Sequence, residues 1–193
     1  GQMSKNALIK HTYLNFPFYA INSTIANDVL PGRLYARVEK AIPKDNGITL
    51  FTIGYEGISL EKYLQKLVKN NVKLLVDVRK NPLSMKFGFS KTLLKKYCNS
   101  LSIEYFHIPE VGINSDKRQQ LESQADYDTL FAEYRETTLL ETKNAQQEIL
   151  KFLVQYKRIA LTCFEAEPCQ CHRSHLAEFI SKSPDFKYSL RHL

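Results

Sequence analysis

The stretch ITLFTIGYEGISLEKYLQKLVKNNVKLLVDV, residues 48–78, decides the fold. Residues 48–53 and 73–78 are short runs of apolar and β-branched side chains, which is typical of strands buried on both faces. Between them, apolar residues recur at helical spacing after Ser59, a residue type that caps helices well. The stretch therefore predicts a strand–helix–strand unit, and a helical crossover of this kind joins parallel strands.

The same alternation continues towards the end of the chain. Residues 103–108 and 158–163 predict two more strands, and a last short strand is expected near residues 186–190. Amphipathic helices separate these runs, with starts expected at Ser90, Asp126 and Asn144. This order predicts an α/β fold with a mostly parallel sheet and helices on both faces, a Rossmann-like three-layer arrangement.

Residues 1–47 do not share this pattern. They are rich in aromatic side chains, are interrupted by three prolines and show no long helical or alternating period. We interpret them as an N-terminal extension to an α/β domain spanning residues 48–193. The aromatic side chains are expected to pack on that domain or on a second subunit, which suggests a homodimer, and one short helix is expected near residues 34–41.

The composition points to the cytoplasm. No apolar run is long enough to span a membrane, and no signal-peptide layout is present. Three of the four cysteines fall within nine residues, a poor disulfide framework that suits a reducing compartment. The net charge of +7 is compatible with an anionic partner, including a nucleotide or nucleic acid, or with a merely basic protein. Gly1 and Gln2, which precede Met3, are expected to be a cloning remnant.

Polar and ionisable residues follow the predicted strands. In an open parallel sheet, ligands bind beyond the carboxyl ends of the strands, so these residues are expected to converge on one cleft. The glycines of GYEG, residues 54–57, either offer backbone N–H groups to an anion or only allow a tight turn. Asp77 and Arg79 either form a structural ion pair, or Arg79 presents its planar fork to phosphate or carboxylate.

The densest cluster is LTCFEAEPCQCHRSH, residues 161–175, and it leaves three hypotheses open. The first is a zinc site, but the spacing matches no common zinc motif and one loop would have to supply every ligand. The candidate ligands for this alternative are Cys163, Cys169, Cys171, His172 and His175.

The second hypothesis is a nucleophilic thiolate. A helix N-terminus and Arg173 would lower the pKa of Cys171. The phosphatase and rhodanese signature does not fit, because it needs an arginine six residues after the cysteine and Cys169 occupies that position relative to Cys163. The third hypothesis is an anion site in which the helix N-terminus, His172 and Arg173 act together.

Five segments in order resemble the family called domain of unknown function 488. They are TIGYEG, LLVDVRKNPLS, FSKTLLKKY, IEYFHIPEVG and LTCFEAEPCQCHR, within residues 49–182. The resemblance implies an α/β domain with a strand-end cleft, and it implies no particular reaction. The positions that match the family pattern are Thr52, Ile53, Gly54, Asp77, Val78, Arg79, Pro82, Ser84, Gly112, Cys163, Glu165, Cys171, His172 and Arg173.

Together these observations predict a cleft that binds an anionic ligand, either a small molecule related to a nucleotide or a nucleic acid. Cys171 and Glu165 are the candidate reactive groups, and His172 is the candidate acid/base or orienting group. Whether the protein is an enzyme stays open, and a non-catalytic module binding nucleic acid or protein is the alternative. No cofactor is predicted apart from the alternative zinc. The candidate ligand-binding residues are Gly54, Tyr55, Asp77, Arg79, Ser84 and Arg173.

Overall fold

The computed structural model describes residues 3–30, 32–118 and 121–193, so Gly1 and Gln2 lie outside the described residues. The described strands form one sheet in which all neighbours are parallel, which confirms the predicted fold class. The strands are β1 (Thr49–Gly54), β2 (Leu74–Asp77), β3 (Glu104–His107), β4 (Arg158–Cys163) and β5 (Ser189–His192). Their order across the sheet is β3-β2-β4-β1-β5.

Helices cover both faces of the sheet. The α-helices are α1 (Lys5–Asn15), α2 (Ala26–Val29), α3 (Ala36–Ala41), α4 (Leu60–Lys69), α5 (Lys91–Ser100), α6 (Gln124–Glu136), α7 (Thr138–Glu141), α8 (Lys143–Tyr156) and α9 (His172–Ser181). Among the described residues, none of these helices combines the length and the apolar composition that crossing a membrane requires.

Alternation along the strands separates two apolar cores. Phe51 of β1 packs with α4 and α5, whereas its neighbour Leu50 packs with α6, α8 and α9 on the other face. β1, β2 and β4 are buried throughout because both of their faces are covered. The result is the three-layer arrangement predicted from the sequence.

The topology opens a crevice at the carboxyl end of β4. β4 lies between β1 and β2. The chain leaves β1 and β2 towards α4 and α5 on one face, but it leaves β4 towards α9 on the opposite face. Where neighbouring connections diverge in this way, an open α/β sheet has its ligand-binding crevice.

The predicted helix starts are confirmed in part. Ser59 caps α4 as expected, its hydroxyl accepting a hydrogen bond from the Lys62 amide. The predicted cap at Asp126 is wrong, because Ser123 caps α6 and the Asp126 carboxylate accepts a hydrogen bond from the Ser123 amide at 2.8 Å. Ser90 precedes α5 without a capping hydrogen bond from its side chain. The last strand lies a few residues after its predicted position.

The N-terminal residues hold more helix than the sequence suggested. Helix α1 was not predicted, because its apolar residues are not gathered on one side and give no periodic signal. The short helix expected near residues 34–41 is α3. Phe18 and Tyr19 lie against α4, where the Tyr19 hydroxyl donates to a Glu61 carboxylate oxygen at 2.5 Å and the Lys69 ammonium lies over the Phe18 ring.

Candidate metal centre

Four side chains with metal-ligating atoms meet beyond the end of β4. Cys163 ends the strand, Glu165 lies in the following loop, and Cys171 and His172 stand at the start of α9. Their ligand atoms all lie within 4.8 Å of one another. Both cysteines and the histidine are buried, and the glutamate is partly buried. The sheet therefore places two thiols, an imidazole and a carboxylate around one point.

The orientation of the His172 ring is fixed by the neighbouring strand connection. Its Nε2 lies 2.9 Å from the Val78 carbonyl oxygen, so Nε2 carries the proton and donates it. Nδ1 is then the acceptor nitrogen, and it lies 3.6 Å from Sγ of Cys163. A backbone group of the β2 connection thus directs the lone pair of the imidazole at the cysteine cluster.

Cys171 is buried as a protonated thiol. Its Sγ donates to Glu165 Oε2 at 2.8 Å. Burial raises the pKa of Cys171 far above its ordinary value, and the neighbouring Cys163 raises it further. The helix dipole was expected to lower the pKa of Cys171, but desolvation of the thiolate has the larger effect and raises it. The geometry therefore does not favour an activated thiolate at Cys171.

Thiol labelling at neutral pH should therefore be confined to one cysteine. We expect iodoacetamide to alkylate Cys169 rapidly, because it is the exposed cysteine, while Cys98, Cys163 and Cys171 are buried. Burial also raises the pKa of Cys98 to about 12. Mass spectrometry of the folded metal-free protein should show one fast adduct, which Cys169→Ser abolishes. Rapid alkylation of Cys171 would contradict this assignment.

The loop that carries Glu165 is held by its backbone. The Arg173 guanidinium donates to the Glu165 carbonyl oxygen at 2.6 Å and to the Ala166 carbonyl oxygen at 3.0 Å. A carboxylate oxygen of Glu56 accepts the Ala166 amide at 3.0 Å. Arg173 is buried and turned towards this loop, so the geometry favours a positioning role for it over the anion-binding role expected from the sequence.

Gly54 lets the same loop approach the end of β1. A Cβ atom built on Gly54 would lie 1.8 Å from the Glu165 carbonyl oxygen, a backbone atom that cannot move without moving the loop. We expect Gly54→Ala to displace residues 164–167 and to destabilise the protein by about 3 kcal/mol or more, the upper end of the cost of overpacking a core. Urea unfolding would measure this change.

The matched control for that substitution is Gly32→Ala. Gly32 also has no side chain, but nothing lies within 4 Å of a Cβ built there. Its positive φ of 61° still carries a conformational cost of roughly 1 kcal/mol. A Gly54→Ala variant as stable as Gly32→Ala would contradict the packing described for the loop.

Arg79 and Asp77 form a buried ion pair at the end of β2. The Asp77 carboxylate accepts Nε of Arg79 at 2.8 Å and also accepts an Nη group. The other Nη of Arg79 donates to the Tyr55 hydroxyl at 2.8 Å and to the Phe89 carbonyl at 2.9 Å. Burial alone would lower the pKa of Arg79, but the bonds to Asp77 raise it above its ordinary value. Most donors of this guanidinium are engaged, which favours the structural interpretation left open above.

A cavity of about 390 Å³ opens on this cluster. Tyr55, Arg79 and Ser84 from the predicted ligand-binding set line it, together with Glu165 and His172. The turns after β1, β2 and β4 thus share one cleft. Asp77 is buried beneath its walls, and Gly54 is buried at the end of β1.

Two residues of the sequence-based zinc set lie elsewhere. Cys169 is exposed in the short turn before α9. His175 stacks near the Phe131 ring, with its Nδ1 at 3.1 Å from an Arg135 nitrogen, and burial lowers its pKa. The four side chains that do cluster include Glu165 instead of Cys169 and His175. The signal for Glu165 was its position two residues after Cys163, just past the strand end.

The comparison with protein families agrees with the sequence pattern. No curated protein and no solved structure matches the chain. The family model described as Domain of unknown function DUF488 matches residues 59–180, which include α4 through most of α9 and all four clustered residues. Because that match covers more than half of the chain, the protein belongs to the DUF488 family.

Proposed function

We propose that this protein binds a zinc ion beyond the carboxyl end of β4. Cys163, Cys171 and His172 supply the ligands, and Glu165 stands beside them. The observation that carries the proposal is the convergence of their ligand atoms within 4.8 Å, although the residues come from a strand end, a loop and a helix start.

The distance between Cys163 and His172 fits tetrahedral coordination of zinc. Zn–S bonds of about 2.3 Å and Zn–N bonds of about 2.0–2.1 Å place sulfur and nitrogen about 3.6 Å apart at a tetrahedral angle. Cys163 Sγ and His172 Nδ1 lie 3.6 Å apart. The contact of 2.8 Å between Cys171 Sγ and Glu165 is a hydrogen bond that has to open when the thiol loses its proton to bind the ion.

The ligand types favour zinc over harder cations. Thiolate and imidazole together select zinc among the divalent ions common in cells, whereas magnesium and calcium take oxygen ligands. The hydrogen bond from His172 Nε2 to the Val78 carbonyl is the kind of supporting contact that metal-bound histidines usually make.

All four cysteines are free thiols, which supports a reducing compartment such as the cytoplasm.

An anionic ligand is less well supported by the same cleft. The two arginines expected to hold it donate instead to Asp77, to Tyr55 and to backbone carbonyls. The net charge of +7 still supports an anionic partner, and nucleotide or nucleic-acid binding rests on that charge alone.

Metal analysis of the purified chain tests the proposal. After incubation with zinc and dialysis, we expect one zinc ion per chain by elemental analysis. A metal that binds only the folded chain stabilises it by about 4 kcal/mol at a thousandfold excess over its Kd. For a domain of this size, that raises Tm by about 8–16 °C, and a chelator should reverse the shift. A chain that retains no zinc and shows no shift would refute the proposal.

A further inference from the structure

The four clustered side chains are not equally placed with respect to the cavity. Cys163, Glu165 and His172 contribute to its wall, whereas Cys171 is fully buried behind them. A metal held by the two sulfurs and the imidazole would therefore have protein on one side and the cavity on the other. Structural zinc sites are closed by four protein ligands, and catalytic sites keep one position open to such a cavity.

Glu165 is set apart from the other three candidates. It is the one that is only partly buried, and it sits in the loop held by Arg173 rather than on a strand or helix. Its Oε2 already accepts a hydrogen bond from the Cys171 thiol, with Sγ at 2.8 Å. Two cysteines and one histidine form a known catalytic ligand set for zinc, in which an adjacent glutamate serves as acid and base without binding the metal.

We propose, resting on the zinc site above, that the cleft is a hydrolytic centre with three protein ligands, Cys163, Cys171 and His172, and a water molecule in the fourth position. Glu165 is its proton acceptor. The substrate class is a small molecule with a planar carbonyl or amidine carbon that carries a nitrogen leaving group.

The reaction balances without another reagent. The water oxygen forms a bond to the planar carbon while Glu165 takes a proton from that water. The C–N bond then breaks, and Glu165 returns the proton to the departing nitrogen. For an amide, the products are a carboxylic acid and an amine, and the only substrate consumed besides the amide is water.

The cavity provides room for such a substrate. Its volume of about 390 Å³ lies within the range typical of small-molecule sites. The ring of Phe164 forms part of the wall and can stack on a planar group, and Asn81 and Ser84 offer hydrogen-bonding groups at the same wall.

Cobalt substitution tests the open position. Co²⁺ bound to thiolates gives charge-transfer absorption. The absorption spectrum of the wild-type chain loaded with Co²⁺ therefore shows whether cysteines bind the ion. We expect Glu165→Gln to keep this spectrum and its intensity, and acetohydroxamate to shift the visible bands of both proteins by occupying the fourth position. The inference would be overturned if Glu165→Gln changed the spectrum as much as Cys171→Ser does. It would also be overturned if acetohydroxamate left the wild-type spectrum unchanged.

Hydrolysis of 4-nitroacetanilide, an amide whose amine product absorbs visible light, tests the proton acceptor. The parent protein carries Cys169→Ser, which removes the exposed thiol that could be acylated by the probe. We expect repeated turnover by the zinc-loaded parent, none by the zinc-free parent, and a loss of at least about tenfold in Glu165→Gln. Equal rates with and without zinc, or in the parent and Glu165→Gln, would overturn the inference. Absence of the cobalt charge-transfer band in the wild type would instead refute zinc binding itself.

Discussion

Replacing Cys171 with serine is expected to lower the zinc affinity by at least about a hundredfold. Loss of a group that only supports a ligand already costs about 10- to 100-fold, and the loss of a ligand costs more. Serine keeps the approximate size of the side chain, but its hydroxyl is a much weaker zinc ligand than a thiolate. Competition with a chromophoric chelator would measure the affinity of the wild type and the variant.

The matched control is Cys169→Ser, two residues earlier in the same loop. Cys169 is exposed and lies outside the cluster, so this variant should bind zinc as the wild type does. Circular dichroism of both metal-free variants separates a lost ligand from a lost fold. The site is misassigned if Cys169→Ser weakens zinc binding as much as Cys171→Ser, or if Cys171→Ser leaves it unchanged in a folded chain.

Replacing Arg79 with methionine is expected to destabilise the protein by about 3–5 kcal/mol. Asp77 has no exposed surface, and its carboxylate would lose its cationic partner in a buried site. Tyr105 would still donate to Asp77 at 2.6 Å, but one hydroxyl does not balance a buried charge. A loss of this size lowers Tm by about 6–20 °C in a domain of this length, which calorimetry would measure.

A surface ion pair provides the comparison. Lys117 and Glu133 lie 2.6 Å apart, but each side chain keeps 51% of its surface exposed. Lys117→Met should change the free energy of unfolding by no more than about 1 kcal/mol. If Arg79→Met and Lys117→Met cost the same, Arg79 does not hold the turn after β2 in the way its contacts indicate.

The sheet was predictable because its strands are buried on both faces. A short continuous apolar run such as RIALTC, residues 158–163, is compatible with few structures other than a buried strand. The helices between such runs have a clear apolar side. The strand order was not predicted, since periodicity within a strand carries no information about its neighbours. The cap of α6 was misplaced because Ser123 and Asp126 both suit a helix start, and only their reciprocal bonds distinguish them.

The candidate site was predicted in part. Glu165, Cys171 and His172 were predicted to lie together, because parallel strands end at the same edge of the sheet. The ion pair of Asp77 with Arg79 was one of two alternatives from the sequence. The backbone partners of Arg79 and Arg173 could not be predicted, since they depend on which carbonyls the folded loops present. The zinc hypothesis, which was based on the density of cysteine and histidine in the sequence, wrongly included Cys169 and His175. Proximity in sequence does not fix the direction of a side chain on a turn or helix.

The central claim is that two sulfurs and one histidine bind a zinc ion beyond β4, and X-ray absorption at the zinc edge of the loaded chain tests it most directly. We expect a four-coordinate shell with two sulfur neighbours at about 2.3 Å and lighter neighbours at about 2.0–2.1 Å. A shell of nitrogen and oxygen alone, with no sulfur neighbour, would contradict it.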